Sequence, residues 1–178
     1  MSPFPRRAVP SVLVLAAALL VSSIGVAPAA ADDASCKPIL DALLAQARTA
    51  YRASITFNGT AGGEEVYTTK AIYRGRDGHW TKIAATPEDR IAANHEVGAA
   101  MTNCHLVRAD TLDGQAATVY SGHSQTVTPA STTEMQLWIG KSNGLPLQVD
   151  SDVSMFGKKS HTSKHYSYGN VQAPAGVN

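Results

Sequence analysis

The chain carries little aromatic mass: Phe, Trp and Tyr together make up 6% of its 178 residues. A pocket built with so few rings is lined mainly by aliphatic side chains, which suit acyl chains better than stacked rings. No glycine-rich phosphate loop, GxGxxG turn or GxSxG elbow occurs, so nucleotide binding and serine-hydrolase chemistry have no foothold in a motif. His95-Glu96 lacks the second histidine of a zinc-protease HExxH. An excess of one charge is missing too: 15 Lys and Arg stand against 14 Asp and Glu, with no basic surplus to hold nucleic acid. Cysteine is scarce. The two present, Cys36 and Cys104, lack the CxxC spacing of a redox couple.

Long apolar runs are absent except at the N-terminus. Arg6 and Arg7 precede an apolar stretch over residues 12–20, and Ala29-Ala30-Ala31 supplies small residues for cleavage. This is the pattern of an export signal over residues 1–31, leaving 32–178 as one exported domain, periplasmic or secreted. Pro10, Ser22, Ser23, Gly25 and Pro28 bound or interrupt the run, which argues against a permanent span. Cys36 follows Asp33-Ala34-Ser35 rather than the residues that precede a lipid-modified cysteine, so the mature chain is expected to be soluble. In an exported chain an even pair of cysteines points to a disulfide, here Cys36–Cys104. Such a long closed loop stabilises by about 4 kcal/mol in the chain-entropy picture.

After the signal, one helix precedes a series of strands. Ser35 can cap it, Pro38 fits its first turn, and Leu40, Leu43, Leu44, Ala47 and Tyr51 form one apolar stripe through about Arg52. Short β-prone runs follow: 54–57, 65–73, 79–83, 101–111, 115–121, a hairpin over 132–155, and 161–171. A second, short helix starts at Thr86-Pro87-Glu88-Asp89 and stops near Gly98. The hairpin is the clearest element. Met135, Leu137 and Ile139 alternate with polar residues, Ser142-Asn143-Gly144 reverses the chain, and Leu145, Leu147 and Val149 resume the alternation. Consecutive hairpins without βαβ alternation give an α+β fold on an antiparallel sheet of about eight strands.

The candidate ligand-lining residues are the apolar ones with one face to bury. From the helix these are Leu40, Leu43, Leu44 and Ala47. From the sheet they are Phe57, Ile72, Met135, Leu137, Ile139, Leu147 and Val149, joined by Ile55, Val66, Ile83 and Val153. The same residues could equally pack against one another as a closed core. Six histidines are scattered through the chain, and His161 and His165 share a strand face without a third metal ligand. Ser121, His123 and Asp113 form no recognisable triad, so neither catalytic residue nor metal nor cofactor is assigned. Asn58-Gly59-Thr60 reads as a turn.

Two local wordings resemble a known family. Tyr73 leading through Gly78 to His79-Trp80, and Leu137-Trp138-Ile139 leading through Gly144 to Leu145-Pro146-Leu147-Gln148, are similar to the LolA/LolB-like and LppX-like proteins. Those are lipoprotein carriers and lipid-binding proteins of bacterial envelopes. The resemblance implies a strongly curved, unclosed half-barrel whose concave face is covered by helices and holds acyl chains. It implies an exported protein binding a lipid or other hydrophobic small molecule, an envelope lipid or lipoprotein carrier; with no catalytic motif in the chain, no enzyme activity is expected. The same fold also serves as an interaction or envelope-stress sensor module with a filled core and an envelope protein as partner. A hydrolase built on His105 or His123 is the third reading, and it requires a nucleophile and an acid to converge on them.

Overall fold

The computed structural model describes residues 34–127 and 130–177. The segment read as an export signal lies outside them. A single 3-10 turn, Ala34–Cys36, leads into α1 (Lys37–Ala47). Then come β1 (Tyr51–Phe57), β2 (Thr60–Tyr67), β3 (Ala71–Arg76), β4 (His79–Ala84), α2 (Pro87–Ala99), β5 (Met101–Leu112), β6 (Gln115–Val127), β7 (Ala130–Gly140), β8 (Pro146–Met155) and β9 (Lys158–Tyr168).

The nine strands form one antiparallel sheet in the order β4-β3-β2-β1-β9-β8-β7-β6-β5. Strands β4 and β5 are its two edges and do not pair, so the curved sheet stays unclosed. The chain crosses from one edge to the other through α2, which follows β4 and precedes β5. A connection of that length between opposite edges has to run over one face of the sheet.

Nine strands replace the expected eight because the run 65–73 bends. Thr68 Oγ1 accepts the N–H groups of Lys70 and Ala71, and Thr68 N donates to Ala71 O at 3.0 Å. This side-chain turn splits the run into β2 and β3 without glycine or proline. The first helix also ends sooner than expected. Thr49 N and Oγ1 close on the carbonyls of Gln46 and Ala45, and Arg48 donates to Leu44 O. With its last carbonyls taken, the helix stops at Ala47, and Tyr51 opens β1 rather than extending a helical stripe. The residue at its N-cap is Cys36, not Ser35, and it makes no side-chain capping bond.

The second helix follows the sequence expectation closely. Thr86 and Asp89 form a reciprocal capping box, Pro87 stands in the first turn, and the helix runs on to Ala99. Pro146 sits at the start of β8, where its missing N–H costs no ladder bond.

The register assigns the faces. Tyr51, Ala53, Ile55 and Phe57 lie opposite Tyr67, Glu65, Gly63 and Thr60 or their neighbours, and continue to Ile72 and Ile83. On the other side they continue through Tyr166 and Lys164 to Val149 and Val153, then Leu137, Met135, Tyr120 and Gly122. The helices cover this face. Ile39 and Ala42 of α1 are buried among Cys36, Cys104, Met101 and Leu137. Burying Ile39 completely contributes about 2 kcal/mol. The Cys36–Cys104 disulfide, bridging 68 positions of sequence, ties the start of α1 to β5. On the outer face, Val171 and Val177 of the C-terminal segment pack on Val66, Ala71, Tyr73 and Trp80.

Candidate ligand site

The helix-covered face divides into three zones. The first is the diagonal along which α1 lies. Here Leu43, Met135, Leu137, Ile139 and Val149 gather around the disulfide with Ile39, Ala42 and Met101. Gly122 makes the close approach possible. A Cβ there would stand 2.8 Å from Met101 Cε and 3.1 Å from Cys104 Sγ. Of the other helix positions, Ala47 is wholly buried, whereas Leu40 rests against Gly98 of α2 and Leu44 is half-buried. The disulfide therefore sets the rotation of α1: Ile39, Ala42 and Gln46 meet the sheet, and Leu40 turns to the second helix.

The second zone is polar, and it escaped the sequence reading. Tyr51, Tyr67, Tyr166 and Tyr168 cluster with ring centres 4.8 to 6.2 Å from that of Tyr51. The Arg90 guanidinium from α2 lies 3.4 Å from the Tyr67 ring centre and donates to Gln46 O at 2.9 Å. Gln46 Nε2 in turn donates to the Tyr168 hydroxyl at 2.9 Å, and that hydroxyl donates to Pro146 O. Burial pushes the hydroxyls of Tyr51, Tyr166 and Tyr168 well above the usual phenol range. Burial also lowers the affinity of Arg90 for its proton, an effect that the neighbouring tyrosines oppose.

Beside the tyrosines, Glu65 is nearly buried and accepts from Lys164 Nζ at 2.9 Å and Arg74 Nε at 3.1 Å. Burial acts to raise its carboxyl, but the two cations together hold it below the ordinary value of 4.5. The signal for this zone was the alternation Tyr166-Ser167-Tyr168. Four tyrosines on three strands, however, share a face only once the register is known.

The third zone is an open aliphatic rim. Phe57 is 47% exposed, Met155 40%, Ile83 37% and Leu106 60%, and the register places all four on the helix-covered face. Ile55, Ile72 and Val153 stand half-exposed beside them. Leu147 lies apart, in a cluster with Ala117, Val119 and Trp138, and Val66 belongs to the outer-face cluster.

The histidines do not converge. His105 approaches Ser121 Oγ with both ring nitrogens, at 3.1 and 3.2 Å, while its Nδ1 also lies 3.0 Å from Asn103 O. No carboxylate is seen on that imidazole among the described residues. His123 pairs with Glu134, His161 with Asp152 and His165 with Asp113. Among the described residues no group of three or more His, Cys, Asp or Glu side chains is placed to hold a metal ion. No helix among them is long and apolar enough to cross a membrane.

Known structures give the architecture a setting. The crystal structure of LprF from Mycobacterium bovis superposes with a TM-score of 0.50 over 80% of this chain and 95% of that one, at 14% identity. That of the Mycobacterium tuberculosis lipoprotein LppX gives a TM-score of 0.50 over 80% of this chain and all of that one, at 12% identity. The chain shares their fold. No family profile matches it, and no curated protein matches it in sequence. The likeness expected from the two wordings is therefore one of architecture, carried by element order and strand pairing.

Proposed function

We propose that this protein binds a lipid or another apolar ligand on its helix-covered face, as a non-enzymatic carrier of the cell envelope. One observation carries the reading. Of the five exposed large apolar side chains on strands among the described residues, Phe57, Ile83, Leu106, Val107 and Met155, all but Val107 register to the face that the helices cover. Val107 sits in a bulge of the edge strand β5. Apolar surface left in water on one face of the curved sheet is relieved by an apolar occupant, at about 25 cal/mol per Å². The lining is the rim residues with Ile55, Ile72, Val149 and Val153, next to the cluster that Leu43, Met135, Leu137 and Ile139 build under α1. Lys164, in register between Ile55 and Val149, stands beside the apolar surface, where the polar end of an amphiphile belongs. The proposal includes export after residue 31, a periplasmic or secreted location and 32–178 as the working unit. LppX, whose fold this chain shares, is itself a lipoprotein.

The packing under α1 favours a second reading. Ile39 and Leu137 are wholly buried there, as the filled core of an interaction or sensor module requires. One experiment separates the two. Protein purified from an envelope fraction without detergent is extracted with organic solvent and the extract is weighed by mass spectrometry. A stoichiometric lipid establishes the carrier and names its cargo class. A clean extract from folded, disulfide-bonded protein transfers the assignment to the module.

A further inference from the structure

The turn between β8 and β9 breaks two rules in one residue. Among the described residues six non-glycine residues have positive φ, and five of them are Asn or Asp: Asn58, Asp77, Asn103, Asp113 and Asn170. Their short polar side chains offset the left-handed backbone by local hydrogen bonding. The sixth is Phe156, with φ of 50° and 78% of its surface in solvent. A bulky ring has no such compensation, and an exposed ring gains nothing from packing. Strain of this kind persists where the position serves something outside the fold.

The surroundings indicate what that is. Met155, the residue before, is 40% exposed, and Lys158 and Lys159 follow Gly157. Both lysines are exposed, and neither has a carboxylate partner among the described residues. Lys158 pairs with Met155 and Lys159 with Ser154, so one cation stands on each side of the hairpin behind an apolar point. The hairpin also overhangs its neighbour. Strand β1 ends with Phe57 opposite Thr162 and Asn58 bonded to His161, leaving residues 158–160 paired on the β8 side alone.

We propose that the β8–β9 tip, residues 155–159, docks the protein on a bilayer surface bearing anionic headgroups, with Phe156 and Met155 entering the apolar layer and Lys158 and Lys159 meeting the phosphates. A membrane offers an apolar interior ringed by negative charge on every side, and the tip is its complement. On the same face as Met155, Val153 and Phe57 lead from the tip into the apolar rim. The docking proposal goes beyond the ligand reading and stands without it.

The test is co-sedimentation with vesicles of phosphatidylcholine, with and without phosphatidylglycerol. Wild type and variants are compared in the same full-chain form, so that the N-terminal segment contributes equally. Wild type is expected to bind the phosphatidylglycerol vesicles in a salt-sensitive way, and Phe156→Asn to bind about tenfold more weakly. Asn suits a left-handed backbone, so the same variant keeps or raises the melting temperature. Lys158→Glu with Lys159→Glu is expected to weaken binding and remove its salt dependence. Equal sedimentation of wild type and Phe156→Asn overturns the proposal, as does a lowered melting temperature, which makes the ring structural. A dimer that Phe156→Asn dissolves in sedimentation velocity also overturns it, by assigning the tip to a second copy of the chain. Uptake of a fluorescent fatty acid in vesicle-free solution reads the ligand proposal separately, and Phe156→Asn leaves it unchanged.

Discussion

The Arg90 guanidinium carbon lies 3.4 Å from the centre of the Tyr67 ring, in a residue only 8% exposed, and no carboxylate partners it among the described residues. It also lies 5.2 Å from the Tyr51 ring centre and donates to the carbonyl of Gln46 at the end of α1. A buried cation held by ring faces and one charged hydrogen bond joins α2, α1 and two strands at one point. Arg90→Ala is expected to lower stability by about 2 kcal/mol, the order of a desolvated cation–π contact plus a charge-assisted hydrogen bond. Tyr67→Leu isolates the ring's share. Urea unfolding of both variants checks this, and an Arg90→Ala protein as stable as wild type would make the contact ornamental.

How much of this was legible beforehand depends on how local each feature is. The second helix was, because Thr86, Pro87 and Asp89 declare its start within four residues. So was the β7–β8 hairpin, whose Leu137 does lie opposite Val149. The turn at Thr68 was not, because a threonine hydroxyl rather than glycine or proline makes it. The buried side of α1 was legible in part, since Ala47 is wholly buried and Leu43 packs on the core, and the rest has a tertiary reason. The disulfide turns Ile39 and Ala42 to the sheet, where helical periodicity alone permits Leu40 and Leu44. The tyrosine zone needs strand register and a helix from elsewhere in the chain, so no single stretch announces it.

Acid should weaken the fold through Glu65. Lys164 and Arg74 hold its carboxyl below its ordinary value, so the folded state favours the charged form. A depressed folded pKa stabilises fully above the unfolded value of 4.5, and that contribution is lost as pH falls through the folded pKa. Chemical unfolding at neutral pH and at about pH 3 is expected to show a smaller loss for Glu65→Gln than for wild type, since the variant has no proton to take up there. Parallel losses in the two proteins would remove Glu65 from the acid response.

The disulfide and Gly122 form one stability unit. Cys36→Ser with Cys104→Ser opens a loop of 68 positions and is expected to cost about 4 kcal/mol. Gly122→Val leaves the bond in place but drives a side chain towards Met101 Cε and Cys104 Sγ, at a cost of about 1–3 kcal/mol. Because both act on the same packing, their effects should fall short of additive when combined. A double-mutant cycle by thermal unfolding measures this coupling, and strict additivity would place Gly122 outside the unit.

Alternation along β8 gives the sharpest test of which face holds a ligand. Val153 and Ser154 are adjacent and both half-buried, but Val153 shares the helix-covered face with Val149, and Ser154 points to the other side. A carboxylate at Val153 meets the apolar rim; one at Ser154 meets the outer surface. Moving a charge against an acyl chain without a partner costs several kcal/mol, enough to reduce binding a hundredfold or more on the order of 3 kcal/mol. Val153→Asp is therefore expected to abolish uptake of a fluorescent fatty acid, and Ser154→Asp to leave it intact, with circular dichroism confirming that both fold. Equal uptake by both variants would take the ligand off this face; equal loss would assign the effect to the hairpin as a whole.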